Sequence, residues 1–234
     1  MSNQLKAMLY FYVTDMRKQF LIFWTILSSI IIFSFCIAGM MPGGWELYLT
    51  ISIPVYVFSG ITGFKIVKES LPFTIKMGGT RRSYFLSIGM FTMGYSIAVS
   101  FITNGLHSIS KIVMNIFTMD NFGIIHPTAL MGEESNWFSR FAVDLFLNFF
   151  LVASLFILGL IFYRFGIVGG FSTLGVFVVI NIVMIASGEF MDIAKAVITQ
   201  SEIGHYIILF GFGLLLYGIS WFMLRRISVA SQHS

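Results

Sequence analysis

Six stretches of this 234-residue chain are long and apolar enough to cross a lipid bilayer, and few folds are open to a chain so built. They run from Phe20 to about Met40, Tyr48 to Phe64, about Phe85 to Thr103, Phe141 to Tyr163, Phe165 to about Ser187, and Ile203 to Leu224. A hydrocarbon core of about 30 Å takes roughly 20 helical residues, and inside it each backbone amide must find its partner within its own segment. With 57% hydrophobic and only 10% charged residues, one soluble core cannot hide this much apolar surface. The predicted fold class is therefore all-α: a polytopic membrane protein, residues 1–234 in one domain, with six transmembrane helices.

The charges set an orientation, because Lys and Arg collect on the cytoplasmic side of a membrane. With the N-terminus inside, Lys6, Arg17, Lys18, Lys65, Lys68, Lys76, Arg81, Arg82, Arg164, Arg225 and Arg226 are cytoplasmic, and only Lys111, Arg140 and Lys195 lie outside. Most acids fall on the other side, leaving Asp15 and Glu69 inside. Both termini are expected in the cytoplasm, and the protein in the cell membrane, a bacterial cytoplasmic membrane. Trp24 and Trp221 near the inner ends of spans, and Trp45 and Trp137 near outer ends, agree with the headgroup preference of Trp. The first twenty residues lack a short apolar core followed by a cleavage site, so the first span is predicted to stay as an anchor. A net charge of +4 is accounted for by anionic membrane lipids rather than nucleic acid. Cys36 is the only cysteine, which excludes an intrachain disulfide and a cysteine-cluster metal site.

Between the spans the chain is patterned. In residues 1–19, Leu5, Met8, Leu9, Tyr12 and Met16 recur at helical offsets beside Lys6, Arg17 and Lys18, predicting an interfacial elbow helix. Pro42, Gly43 and Gly44 make a tight outer turn. The outer segment 111–140 mixes Ile, Phe and Met with breakers and predicts short structured pieces. Spans four and five are joined by little more than Arg164, so they predict a tight inner hairpin. In 189–202, Phe190, Ile193, Ala194, Val197 and Ile198 share a stripe, predicting a short outer amphipathic helix.

The segment from Lys65 to Arg82, KIVKESLPFTIKMGGTRR, is basic, partly apolar and lies between two uncharged spans. Its end, Met77, Gly78, Gly79, Thr80, Arg81, Arg82, Ser83, Tyr84, Phe85, together with the arrangement of elbow, hairpins and outer helix, resembles the small six-span permeases of the ABC-2 family. The resemblance covers the whole chain, but only the Gly-Gly-Thr-Arg-Arg stretch is close to a motif. It implies that 65–82 is a cytoplasmic coupling loop seated on a separate ABC ATP-binding subunit, with Leu71, Phe73, Met77, Gly78, Gly79, Thr80, Arg81 and Arg82 as the coupling residues. It also implies a second copy or a related permease chain as partner. Pro72 departs from a helix interior, so two short helices flanking it, or Pro72 in the first turn of the second, are expected. The plain alternative is a positive-inside loop that touches only lipid.

No G-x-x-x-x-G-K-[ST] phosphate cradle occurs, so ATP and Mg would sit on the partner ATPase and no cofactor is expected in this chain. Asp144 is the one acid within a span; Arg140 and Asn148 lie four residues to either side, on its helical face, and predict an outer polar cluster. Asn104 and Asn181 are expected to join helices. Gly166 and Gly170 form a G-x-x-x-G pair where helices could approach closely. His107, His126 and His205 show no metal-ligand spacing, and the adjacent Glu133 and Glu134 lack the arginine that would follow in a paired-glutamate intramembrane protease. The expected function is a non-enzymatic permease subunit of an ATP-driven exporter with an apolar, lipid-like, peptide or drug-like substrate. A non-transporting scaffold or peptide-immunity protein is the alternative of another class, and a membrane-embedded enzyme a third.

Overall fold

A computed structural model describes residues 2–40, 45–76, 78–119, 121–131, 136–192 and 203–225. Five helices make up nearly all of it: α1 (Ser2–Met40), α2 (Ser52–Lys76), α3 (Arg81–Ile116), α4 (Trp137–Ala186) and α5 (Ile203–Arg225). Two three-residue strands, β1 (Leu47–Leu49) and β2 (Phe122–Ile124), and a 3-10 turn (Pro127–Met131) complete the order.

Among the described residues four continuous helical stretches are long and apolar enough to cross a membrane: Gln4–Met40, Arg81–Ile116, Trp137–Ala186 and Ile203–Arg225. Helix α2 is not among them because its charges begin at Lys65, with Lys68 and Glu69 close behind. Helix α4 contains two of the expected spans and breaks at Gly166, whose φ of 70° and ψ of −168° are open to glycine and strained for other residues. It folds back on itself there. Phe162 and Phe171 meet with ring centroids 5.6 Å apart, and Leu151 and Phe177 line one groove, although in an unbroken helix they would be about 39 Å apart.

The bundle core is contributed by every helix: Trp24, Leu27 and Ile31 from α1, Val55, Val67 and Leu71 from α2, Ile88 and Val99 from α3, Val152, Phe156 and Leu160 from α4, and Leu224 from α5. Helices α2 and α4 approach most closely. A Cβ on Gly63 would lie 2.3 Å from the Val152 carbonyl oxygen, and one on Gly159 would lie 2.9 Å from that of Phe64. Without side chains at these two places the backbones can touch.

Strands β1 and β2 pair in parallel, Leu47 opposite Phe122 and Leu49 opposite Ile124. A parallel pair needs a long crossover, and here it is α2 and α3 together. The ribbon is tied to α1, since the Asn121 side-chain amide donates to the Ala38 carbonyl at 2.8 Å and Phe35 packs on Phe122. We call this the ribbon end of the bundle. The opposite, basic end carries Lys76, Arg81 and Arg225.

Several expectations change. The elbow is not a separate helix: residues 2–19 continue unbroken into 20–40 as α1, their Met8 and Tyr12 packed against the core. Residues 65–76 are not a loop but the last turns of α2, which runs through Pro72 without ending. Trp24 is buried in the core rather than set at a rim. In 111–140, residues 111–116 belong to α3, followed by β2 and the 3-10 turn, while 132–135, with Glu133 and Glu134, lie outside the described residues. Of the amphipathic segment, 189–192 are helical and 193–202 lie outside the described residues.

Candidate functional site

Asp144 sits in the third turn of α4 with no exposed surface. A carboxylate there is tolerable only if donors replace water, and three different parts of the chain supply them. Tyr56 of α2 donates its hydroxyl to Oδ1 at 2.5 Å. Asn104 of α3 donates its amide to Oδ2 at 2.9 Å, so it does join two helices. His126, between β2 and the 3-10 turn, faces Oδ1 through Nε2 at 3.1 Å. One turn further along α4, Asn148 accepts from Ser59 of α2 at 2.6 Å and donates to Ser100 of α3 at 3.3 Å. Arg140, a turn before Asp144, is buried beside them.

The imidazole of His126 is oriented by its own turn. Its Nδ1 accepts from the Thr128 backbone N–H at 3.2 Å and lies 2.9 Å from the Thr128 hydroxyl. An Nδ1 that accepts carries no proton, so Nε2 is the donor to Asp144. His107 of α3 stands edge-on to His126 with ring centroids 5.7 Å apart. It is buried, and neither of its ring nitrogens has a hydrogen-bond partner among the described residues. Among the described residues no three His, Cys, Asp or Glu side chains are placed to hold a metal ion.

The basic end forms a second, exposed site. Helix α2 ends in a Schellman motif, with the Gly78 N–H on the Ile75 carbonyl at 3.0 Å and the Gly79 N–H on that of Thr74 at 2.9 Å. Gly78 takes the left-handed φ of 74° that this motif requires, and a Cβ on Gly79 would lie 2.6 Å from the end of Met8. Thr80 then caps α3, its hydroxyl accepting from the Ser83 N–H at 3.1 Å. The Arg81 guanidinium donates to the Arg225 carbonyl at 2.5 Å, fixing the last turn of α5 to this corner. Phe73 stacks on Phe11 of α1 with centroids 4.0 Å apart.

Of the coupling residues expected here, Phe73, Gly78, Thr80, Arg81 and Arg82 are exposed and Gly79 is half-buried. Leu71 is only 2% exposed and belongs to the core, so it is not a contact for a partner. Met77 lies outside the described residues. The exposed Lys68 and Lys76 extend the surface along α2. Apart from these sites, an apolar groove of about 450 Å³ opens between α1 and α3, lined by Leu9, Val13, Met16, Phe20, Met90 and Phe91.

Arg140, Asp144 and Asn148 do share one buried helical face. Sequence reasoning missed the groups that hold the carboxylate, Tyr56 and His126, which lie 88 and 18 residues away along the chain. No local pattern marks them. Asn181 is half-buried and bonds back to the Phe177 carbonyl in its own helix, so it joins no second helix through that bond, and His205 is exposed in the first turn of α5. Comparison with protein families, with characterised proteins and with solved structures gives no match.

Proposed function

We propose that this chain is the membrane-embedded permease subunit of an ATP-driven transporter, an exporter of apolar, lipid-like, peptide or drug-like molecules. The chain crosses the membrane six times, with α2 and the two arms of α4 each crossing once and both termini in the cytoplasm. A separate ATP-binding subunit, carrying ATP and Mg, docks against the basic end. A second copy or a related chain completes the path.

The observation that supports this reading is the continuity of α2. Unbroken over 25 residues, it carries the chain about 30 Å from the basic corner at Lys76 to Tyr56, which with Ser59 holds Asp144 and Asn148. A push on the corner reaches the far end of the bundle without a hinge, because the corner is capped on both sides and fastened to α1 and α5. Movement then takes the form of a rigid-body shift between two packings. The apolar groove between α1 and α3 offers an adaptable surface lined by Met and Phe.

The test uses Lys76→Cys and Arg82→Cys in a Cys36→Ala background, since Cys36 is exposed. Each is expected to crosslink to a co-purifying ATPase and to lower ATP hydrolysis by the complex. Labelling of Lys76→Cys on intact cells by an impermeant thiol reagent, or purification in mild detergent with no ATPase attached, would sink the proposal. Full function after charge-preserving scrambling of the exposed corner residues would favour the scaffold or immunity reading instead.

A further inference from the structure

We infer that the groove between α1 and α3 is the seat of one anionic phospholipid, its acyl chain on the apolar floor and its phosphate on Arg17. The inference holds whether or not the chain transports anything. The groove has a fixed floor. Phe91 and Tyr95 of α3 are buried and stack with ring centroids 5.9 Å apart. Tyr12 of α1 holds Phe91 edge-on, and the Tyr95 hydroxyl faces Ser59 and Thr62 of α2 at 3.5 and 3.4 Å. Just before Tyr95 comes Gly94, and nothing lies within 4 Å of the place where its Cβ would stand. The missing side chain leaves a slot, lined also by Met16 and Met90, and methionine adapts to an irregular occupant.

Arg17 supplies the polar half of the site. Among the described residues lining the groove it is the charged one, and none is acidic. Its side chain is exposed. The ion pairs among the described residues are Lys65 with Glu69 and His126 with Asp144, and Asp15, near Arg17 in sequence, lines a different pocket against α2. Arg17 lies within Gln4–Met40, a stretch apolar enough to cross a membrane, where a cation without a counter-charge is costly. Tyr12 meets Ser87 at 3.1 Å and Ala38 meets Asn121, just past α3, at 2.8 Å, so α1 and α3 run side by side in the same direction. Arg17 therefore stands more than a turn further from the basic end than Tyr12. Helical side chains lean toward the start of their helix, which turns its guanidinium back toward the basic end. A lipid upright in the membrane matches that polarity, with phosphate at Arg17 and chain running on past Phe20. A guanidinium takes phosphate oxygens in pairs, and an anionic lipid carries no cation of its own to compete for them. A second copy of the chain is the other way to cover the groove, but a two-fold contact centred here sets Arg17 against Arg17.

Native mass spectrometry of the purified full chain measures binding of added phosphatidylglycerol against phosphatidylcholine with the same acyl chains. Phosphatidylglycerol is expected to bind at least about fivefold more tightly, the effect of one cation. Arg17→Gln is expected to erase that preference and Arg17→Lys to keep most of it. Lys18→Gln, exposed on another face, is expected to change nothing. Gly94→Leu fills the slot and is expected to weaken both lipids without lowering the midpoint of unfolding; if it lowers it, Ala98→Phe fills the groove from the next turn. A preference that survives Arg17→Gln overturns the inference, and so does one lost equally in Lys18→Gln, which is diffuse attraction to a basic surface. Lipid binding unmoved by filling the groove overturns it too. So does a disulfide between two copies of Met90→Cys, in the Cys36→Ala background, formed in the membrane.

Discussion

Gly63 and Gly159 have no side chain, and that lets α2 and α4 run in backbone contact beside a buried carboxylate. At Gly63 a methyl group would meet backbone rather than a movable side chain, so the helices must part or shift. Gly63→Ala is expected to cost about 1–3 kcal/mol, read as a lower midpoint of unfolding in detergent. Gly94→Ala, where nothing lies within 4 Å, is expected to leave that midpoint unchanged or raise it, since alanine favours helix. Equal effects would mean that the α2–α4 seam is looser than described. The sequence pointed to Gly166 and Gly170 for close approach, but Gly166 makes a turn and Gly170 gives way to the Phe162 ring. Which glycine matters depends on which helices are neighbours, and spacing within one helix does not contain that. The same holds at Asp144: its companions Arg140 and Asn148 are legible because they share a helix, whereas Tyr56 and His126 are not.

Among the elements, the corner between α2 and α3 was the most legible in position and the least in form. Two glycines and a threonine mark a helix end followed by a helix start, and that is how they act. Thr80→Ala removes the cap and is expected to cost about 1 kcal/mol, with Thr80→Ser nearly neutral. Gly78→Ala forces a Cβ into left-handed backbone at a cost of about 1–2 kcal/mol. Chemical denaturation of the purified protein measures each, and a corner indifferent to both Thr80→Ala and Gly78→Ala would not be the rigid joint described. The sequence predicted a break at Pro72 because proline removes a helix hydrogen bond. Helix α2 continues regardless. Ile66, Val67, Ser70, Leu71 and Thr74 are all buried on its inner face, and that packing outweighs one lost bond.

At the scale of the whole molecule, the fold back at Gly166 decides which surfaces meet. Phe162→Cys paired with Phe171→Cys, in the Cys36→Ala background, is expected to be joined by a short bismaleimide. Failure of the pair to react, while each single variant is labelled, would mean that α4 does not turn back there. What the sequence determined by itself is the all-helical class, the positions of the apolar stretches, the hairpin at Arg164 and the polar face around Asp144. These follow from period and composition, which act over one or two turns. The tertiary structure alone decided that α2 reaches from the basic corner to the buried carboxylate, that Leu71 is core rather than contact surface, and that a short parallel ribbon delivers His126 to Asp144. Each joins residues far apart in the chain, and such a pairing is fixed by how whole helices pack, a choice that no single segment carries.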